Sequence, residues 1–145
     1  MFSKTCEYAI RAMIFITQKS KQQEKTGIKV LAKGINAPEH FIAKIMQNLV
    51  KHDLVQSSKG PNGGFYLDKQ FLNTSIADIV RAVDGDNIFT GCGLGLRQCS
   101  EKKPCPIHHE FKKIREEITH MLNKAKLYNF EENNELTFLK ITDTL

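Results

Sequence analysis

Apolar residues recur at helical spacing from the start of the chain. Tyr8, Ala9, Ala12, Met13, Phe15 and Ile16 predict a helix over residues 3–18. The stretch from Lys19 to Lys25 is polar and charged and reads as a loop. From Thr26 the pattern resumes, with Ile28, Val30 and Leu31 in a short helix ending near Gly34, a residue suited to a left-handed cap. Asn36-Ala37-Pro38 then turns the chain into a second helix, where Pro38 fits the first turn because its missing N–H has no partner there. Phe41, Ile42, Ile45, Met46 and Leu49 form one apolar stripe of this helix, and Glu39, His40, Lys44, Gln47 and Asn48 occupy its other face. Two strand-like runs, Leu54–Lys59 and Phe65–Leu67, flank Gly60-Pro61-Asn62-Gly63-Gly64, the signature of a hairpin. Thr74 or Ser75 caps the next helix, which carries Ile76, Ile79, Val80 and Val83 and stops at Asp84-Gly85.

Residues 86–105 lose this periodicity. They hold Gly91, Gly93, Gly95, Pro104 and three cysteines, a loop that needs something to order it. Near Pro106 the pattern returns: Ile107, Phe111, Ile114, Ile118, Met121 and Ala125 step alternately by four and three residues. That is an a/d seam, widened by Leu122, and a helix bearing it wants a partner helix. Packing on its own domain is the other way to cover it. Residues 129–145 are mixed and define no element. The expected fold is mainly α with a small β-hairpin wing. Its parts are a winged helix-turn-helix domain over 1–85, a cysteine-rich loop over 86–105, a dimerisation helix over 106–127 and a C-terminal segment over 128–145.

Charge sharpens the functional reading. The net charge is +5, yet residues 1–70 carry 11 Lys/Arg against 5 Asp/Glu, while residues 71–145 carry 10 against 11. A basic half suits a surface that meets a polyanion, although a solvated basic face has the same composition. An α-helix fits the major groove of DNA, and a glycine-rich hairpin tip lets backbone approach phosphate or the minor groove. Glu39, His40, Lys44, Gln47 and Asn48 are therefore candidates for base and phosphate contact, with Ser58, Lys59, Gly60 and Asn62 at the wing. Lys59, at the shoulder of the tip, is placed to meet phosphate or enter a narrow minor groove. No apolar run approaches the roughly 20 residues needed to span a bilayer, and the start lacks a signal-peptide core, so a cytoplasmic protein without a membrane partner is expected. Enzyme classes find little footing. There is no Cys-x-x-Cys, no phosphate-binding GxxxxGK[ST] loop and no Ser/His/Asp arrangement.

Cys92, Cys99 and Cys105 fall within fourteen residues, while Cys6 stands alone. Clustered thiols in a cytosolic chain point to metal or redox chemistry rather than disulfides. The spacings of six and five residues, with His108 two residues beyond Cys105, lack the tight knuckle of most structural zinc sites.

Three stretches carry a resemblance. Glu7-Tyr8-Ala9-Ile10-Arg11-Ala12-Met13, Ser57-Ser58-Lys59-Gly60-Pro61-Asn62-Gly63-Gly64-Phe65-Tyr66-Leu67 and Ser75-Ile76-Ala77-Asp78-Ile79-Val80-Arg81-Ala82-Val83-Asp84-Gly85 resemble the IscR/NsrR family of bacterial winged-helix iron–sulfur regulators. The likeness spans roughly residues 3–127. It implies a homodimeric transcription regulator, not an enzyme, that binds partly palindromic double-stranded DNA and pairs through the long C-terminal helix. It also implies an iron–sulfur cluster on Cys92, Cys99 and Cys105, with His108 or a partner's Glu7 as fourth ligand. A histidine suits a 2Fe–2S cluster and a carboxylate a 4Fe–4S cluster. The position of Glu7 directly before the matching Tyr8-Ala9-Ile10-Arg11 leans the reading to 4Fe–4S. Where several relatives place Arg, this chain has Lys59, which keeps the charge and loses the planar fork. The implied signal is redox state, nitric oxide or iron–sulfur supply. The alternative is a cluster-free regulator of the same fold that answers to thiol oxidation or a protein partner.

Overall fold

The computed structural model describes residues 1–132, which run through six α-helices and one two-stranded antiparallel sheet. Helix α1 (Lys4–Lys21) opens at Ser3, whose Oγ accepts the Cys6 N–H at 3.0 Å and so satisfies one of the free donors at the helix start. Every residue from Ala12 to Gln18 is buried, as expected of a helix surrounded by other elements. Helices α2 (Ile28–Ile35), α3 (Glu39–Lys51) and α4 (Ile76–Asp84) all pack against it.

Two details of α2 and α3 differ from expectation. The left-handed residue after α2 is Asn36, with φ 53°, rather than Gly34. Gly34 serves a different purpose: a Cβ there would lie 2.3 Å from Phe15 Cε2, so its absence lets α2 approach α1. In α3, Ile42, Ile45, Met46 and Leu49 are buried, but Phe41 is 47% exposed and packs beside the His40 ring instead of joining the core stripe. Pro38 caps α3 from just outside its first turn.

The hairpin is shorter than the pattern predicts, with β1 (Gln56–Ser58) pairing β2 (Gly64–Tyr66) and Ser57 opposite Phe65. It is tied to the helices by a bridge from the α1–α2 connection. Thr26 N donates to Phe65 O at 2.9 Å and Phe65 N to Thr26 O at 2.8 Å. Gly64, at φ 142°, permits that approach, because a Cβ would stand 2.8 Å from the Thr26 backbone.

Ser75, not Thr74, caps α4 in a reciprocal box with Asp78. The expected loop after it contains a short helix, α5 (Asn87–Thr90), anchored by the buried Phe89 under the Arg81 guanidinium. Helix α6 (His108–Lys124) packs on α4 and α5. Beyond it the chain folds back: Ile76 N donates to Ala125 O at 2.9 Å, Leu127 N donates to Thr74 O at 3.0 Å, and Leu127 is fully buried.

This return divides the predicted seam. Leu122 is buried, and Ile118 and Ala125 pack against the core of their own chain, while Phe111 covers Gly93. Ile107, Ile114 and Met121 point away, at 41%, 54% and 51% exposed. In heptad terms one row of the seam faces the domain and the other faces solvent. Residues 133–145 of the predicted C-terminal segment lie outside the described residues. No helix among those described is long and apolar enough to cross a membrane.

The Gly34–Phe15 contact predicts that Gly34→Ala costs about 1–3 kcal/mol through overpacking, whereas Asn36→Gly costs far less. Denaturant midpoints at unchanged slope would measure both, and a neutral Gly34→Ala would show that the contact relaxes freely.

Candidate metal centre and nucleic-acid interface

The turn of α3 leaves one face to solvent. His40, Lys44, Gln47 and Lys51 are all exposed and fall within about 60° of arc at 100° per residue, opposite the buried Ile42, Ile45 and Met46. Lys51 was missed by the sequence reading, although it continues the same four-three-four spacing. Glu39 is exposed at the helix start but lies to one side of this stripe. Asn48 is half-buried, and its Nδ2 donates to Ala82 O at 3.2 Å, so it ties α3 to α4 rather than presenting an amide to a groove.

At the wing, Lys59, Gly60 and Asn62 are exposed. Ser58 Oγ accepts from Lys25 Nζ at 3.1 Å, and the same ammonium sits 4.9 Å from the Tyr66 ring centroid. Lys25 is a second cation at the wing that no local signal announces, because the Thr26–Phe65 bridge brings it there. Among the described residues, the exposed α3 stripe carries Lys44 and Lys51 and the wing carries Lys25 and Lys59, on a helix and a hairpin tip, the two shapes that fit DNA grooves.

The three cysteines of the loop converge. Their sulfurs all lie within 4.8 Å of one another, with Cys92 Sγ 3.6 Å from Cys105 Sγ. His108 joins them from the first turn of α6, its Nδ1 3.2 Å from Cys99 Sγ. Arg115 Nη1 donates to Gly91 O at 2.7 Å, and Phe111 lies against Gly93, so α6 holds the loop by both ends of the Gly91–Gly93 step. Glu7 is elsewhere: it is exposed on α1, 3.6 Å from Lys4 Nζ, and does not join the thiol group of its own chain.

Backbone N–H groups point at the sulfurs, Leu94 N at Cys92 and Cys105 N at Cys99, each at 3.4 Å. The N–H groups of Leu96 and Leu94 bring the Cys92 thiol down to about 7. Cys99 moves up: the N–H of Cys105 lowers it, but burial and the neighbouring Cys105 and Cys92 thiols outweigh that. Burial, then the Asp84 carboxylate, pushes Cys6 up to about 12, which marks it as an inert core thiol. Glu101, hydrogen-bonded by Lys112 and with the His108 ring 3.3 Å away, is held below the usual carboxylate range. Three sulfurs and an imidazole are soft and borderline donors, and N–H groups aimed at sulfur stabilise the ligand form. The residues present fit a thiolate-bound metal or iron–sulfur group.

Residues 2–133 match the Rrf2 family, whose description is "Iron-dependent Transcriptional regulator". This chain belongs to the Rrf2 family. A protein of Aquifex aeolicus provisionally named an HTH-type transcriptional regulator is 31% identical over 139 residues, covering 92% of this chain and 95% of that protein. The regulator NsrR of Oceanobacillus iheyensis is 28% identical over 133 residues, 91% of this chain and 90% of its own length. The solved structure of T. potens IscR superposes with a TM-score of 0.70 at 20% identity over 94% of this chain and 90% of that one, a likeness of fold. The IscR/NsrR resemblance is thereby borne out, and the Rrf2 chain is a DNA-binding regulator rather than an enzyme.

The thiol environments predict selective alkylation of the reduced, metal-free Rrf2 protein. Cys92 should react first with iodoacetamide, with a half-maximal rate near pH 7, because its thiolate form is already favoured there; Cys6 should stay unlabelled until the chain unfolds. Peptide mass mapping across pH 5–9 checks this, and equal rates at the two sites would contradict it.

Proposed function

We propose that this Rrf2 regulator acts as a homodimer whose DNA affinity is set by an iron–sulfur cluster held by Cys92, Cys99 and Cys105. One observation carries the reading: a fourteen-residue loop gathers three thiols within 4.8 Å of one another at the first turn of α6. The cluster, when bound, supplies redox and ligand-exchange chemistry at iron. The chain's own residues do the rest. Cys92, Cys99 and Cys105 grip the loop, Arg115 and Phe111 seat it on α6, and α6 carries the exposed row Ile107, Ile114 and Met121. That row is the proposed contact with α6 of a second copy. Full burial of each such side chain is worth about 1.5–3 kcal/mol.

The fourth ligand we propose is His108. Its Nδ1 faces Cys99 within the same chain, whereas Glu7 is engaged with Lys4 on α1. A histidine-ligated site favours the 2Fe–2S alternative over the 4Fe–4S cluster that the position of Glu7 by itself recommends. Glu7 of the partner subunit is the competing outcome.

The coupling is geometric. Two recognition helices must meet half-sites about one helical turn apart, so a change in how the loop sits on α6 alters the pose of both α3 helices. A bound group shifts such an equilibrium only by its different affinity for the two poses. A second reading, direct thiol oxidation without a cluster, draws on the 3.6 Å approach of Cys92 and Cys105.

The test starts from protein purified without air. Selection on randomised duplexes should enrich a partly palindromic site. On that duplex, fluorescence anisotropy at fixed salt should give dissociation constants at least about tenfold apart for cluster-loaded and cluster-free protein, the scale of ordinary site coupling. Equal affinity and equal site preference would defeat the coupling, and an anaerobic sample without iron or absorption between 300 and 500 nm would favour the thiol reading. The dimer row has its own check. The double substitution Ile114→Glu with Met121→Glu, at two exposed positions, should leave the helical circular dichroism intact and convert the protein to monomer in sedimentation velocity; a dimer that survives it would move the interface elsewhere.

A further inference from the structure

His108 stands between two neighbours of opposite chemistry. Its Nδ1 lies 3.2 Å from Cys99 Sγ, and its Nε2 lies 3.3 Å from Glu101 Oε1. The side chain is 9% exposed, and Nε2 is buried without a well-aligned hydrogen bond among the described residues, so its approach to Glu101 is a close contact of opposite polarity rather than a formed bond. A neutral imidazole carries one proton, and the nitrogen without it offers the lone pair that binds metal. The acceptor opposite each nitrogen decides which form is present.

Here the two sides are unequal. A carboxylate is a stronger acceptor than a thiol, so a proton on Nε2 is the favoured arrangement, and it would leave the Nδ1 lone pair toward Cys99. Glu101 is itself anchored: Lys112 Nζ holds the same Oε1 at 2.6 Å. Lys112 stands one helical turn beyond His108 on α6, so imidazole and ammonium meet the carboxylate from one helix face while Glu101 reaches in from the loop between Cys99 and Cys105. The sequence reading did not single out either residue.

We propose that Glu101, anchored by Lys112, is a positioning residue that fixes His108 as the Nε2–H tautomer and aims Nδ1 into the three-thiol site. The proposal rests on reading that site as a metal centre, but its first measurement does not. Carboxylates behind ligating histidines set ring orientation and basicity, and losing one typically weakens metal binding about 10–100-fold.

The full-length, reduced, metal-free protein is the sample, labelled with 15N at histidine. Long-range 1H–15N correlation should show His108 protonated at Nε2 in the wild type and a mixed or reversed tautomer in Glu101→Gln and Glu101→Ala. Titration with Co2+ alone, followed by its thiolate charge-transfer and d–d bands, should show an affinity about 10–100-fold weaker in Glu101→Gln, and Glu101→Gln should cost nothing further when added to His108→Ala. Thermal melts confirm that these exposed-loop variants fold. An unchanged tautomer in Glu101→Gln would overturn the proposal, whatever happens to Co2+ affinity, as would full additivity of the two substitutions. A wild type that binds no Co2+ would instead sink the metal-centre reading, while the tautomer measurement would still judge Glu101.

Discussion

The arrangement hangs on how α6 is fastened. Two main-chain hydrogen bonds, Ile76 N to Ala125 O and Leu127 N to Thr74 O, join the end of α6 to the start of α4, and the buried Leu127 closes the joint. Gln18 Nε2 adds a bond to Phe130 O at 3.1 Å from the central helix. A helix held so firmly at its C-terminal end has its direction and rotation set. From that follow the inward row of Ile118 and Leu122, the outward row of Ile107, Ile114 and Met121, and the position at which the cysteine loop meets His108.

The N-terminal half is built on a second constraint of the same kind. Helix α1 is surrounded, so α2, α3 and the hairpin all take their places from it. Gly34 lets α2 close on Phe15, and Gly64 lets the hairpin close on Thr26. Both glycines work through a missing Cβ, where any side chain would press on a ring or on backbone. Asn48 joins this framework by bonding to Ala82 O, which links α3 to α4 and so, through the α4–α6 joint, toward the cysteine loop. Packed side chains and hydrogen bonds of this kind are one physical route by which coupling can pass between α3 and the cysteine loop.

The cysteine loop shows how a sequence without periodicity acquires order. Beyond the buried Phe89 little of it is core, and Leu94 and Leu96 are exposed. From Gly91 onward order comes mainly from polar fastening: Arg115 on Gly91 O, N–H groups on the sulfurs of Cys92 and Cys99, and Glu101 reaching Lys112 and His108. Such fastening is weaker than hydrophobic burial, and bonds to exposed ion pairs contribute little net stability.

The one-dimensional pattern determined the element types, the hairpin with its glycine-rich tip, the thiol triplet and the polar face of α3, because helical and strand periods and turn chemistry are local properties of neighbouring residues. It also announced family membership through contiguous stretches of chain. Tertiary structure alone decided the rest. Phe41 reads as core until the fold leaves it 47% exposed, and Asn48 reads as groove-facing until α4 arrives to take its amide. A seam of apolar residues is the same string whether one row or both face a partner, and the division in α6 follows from the α4 joint. Lys25 and Glu101 carry no local mark, since each gains its place through residues far away in sequence or across a loop. Periodicity reports which side of an element is apolar; only the packing of elements against one another says what lies on that side.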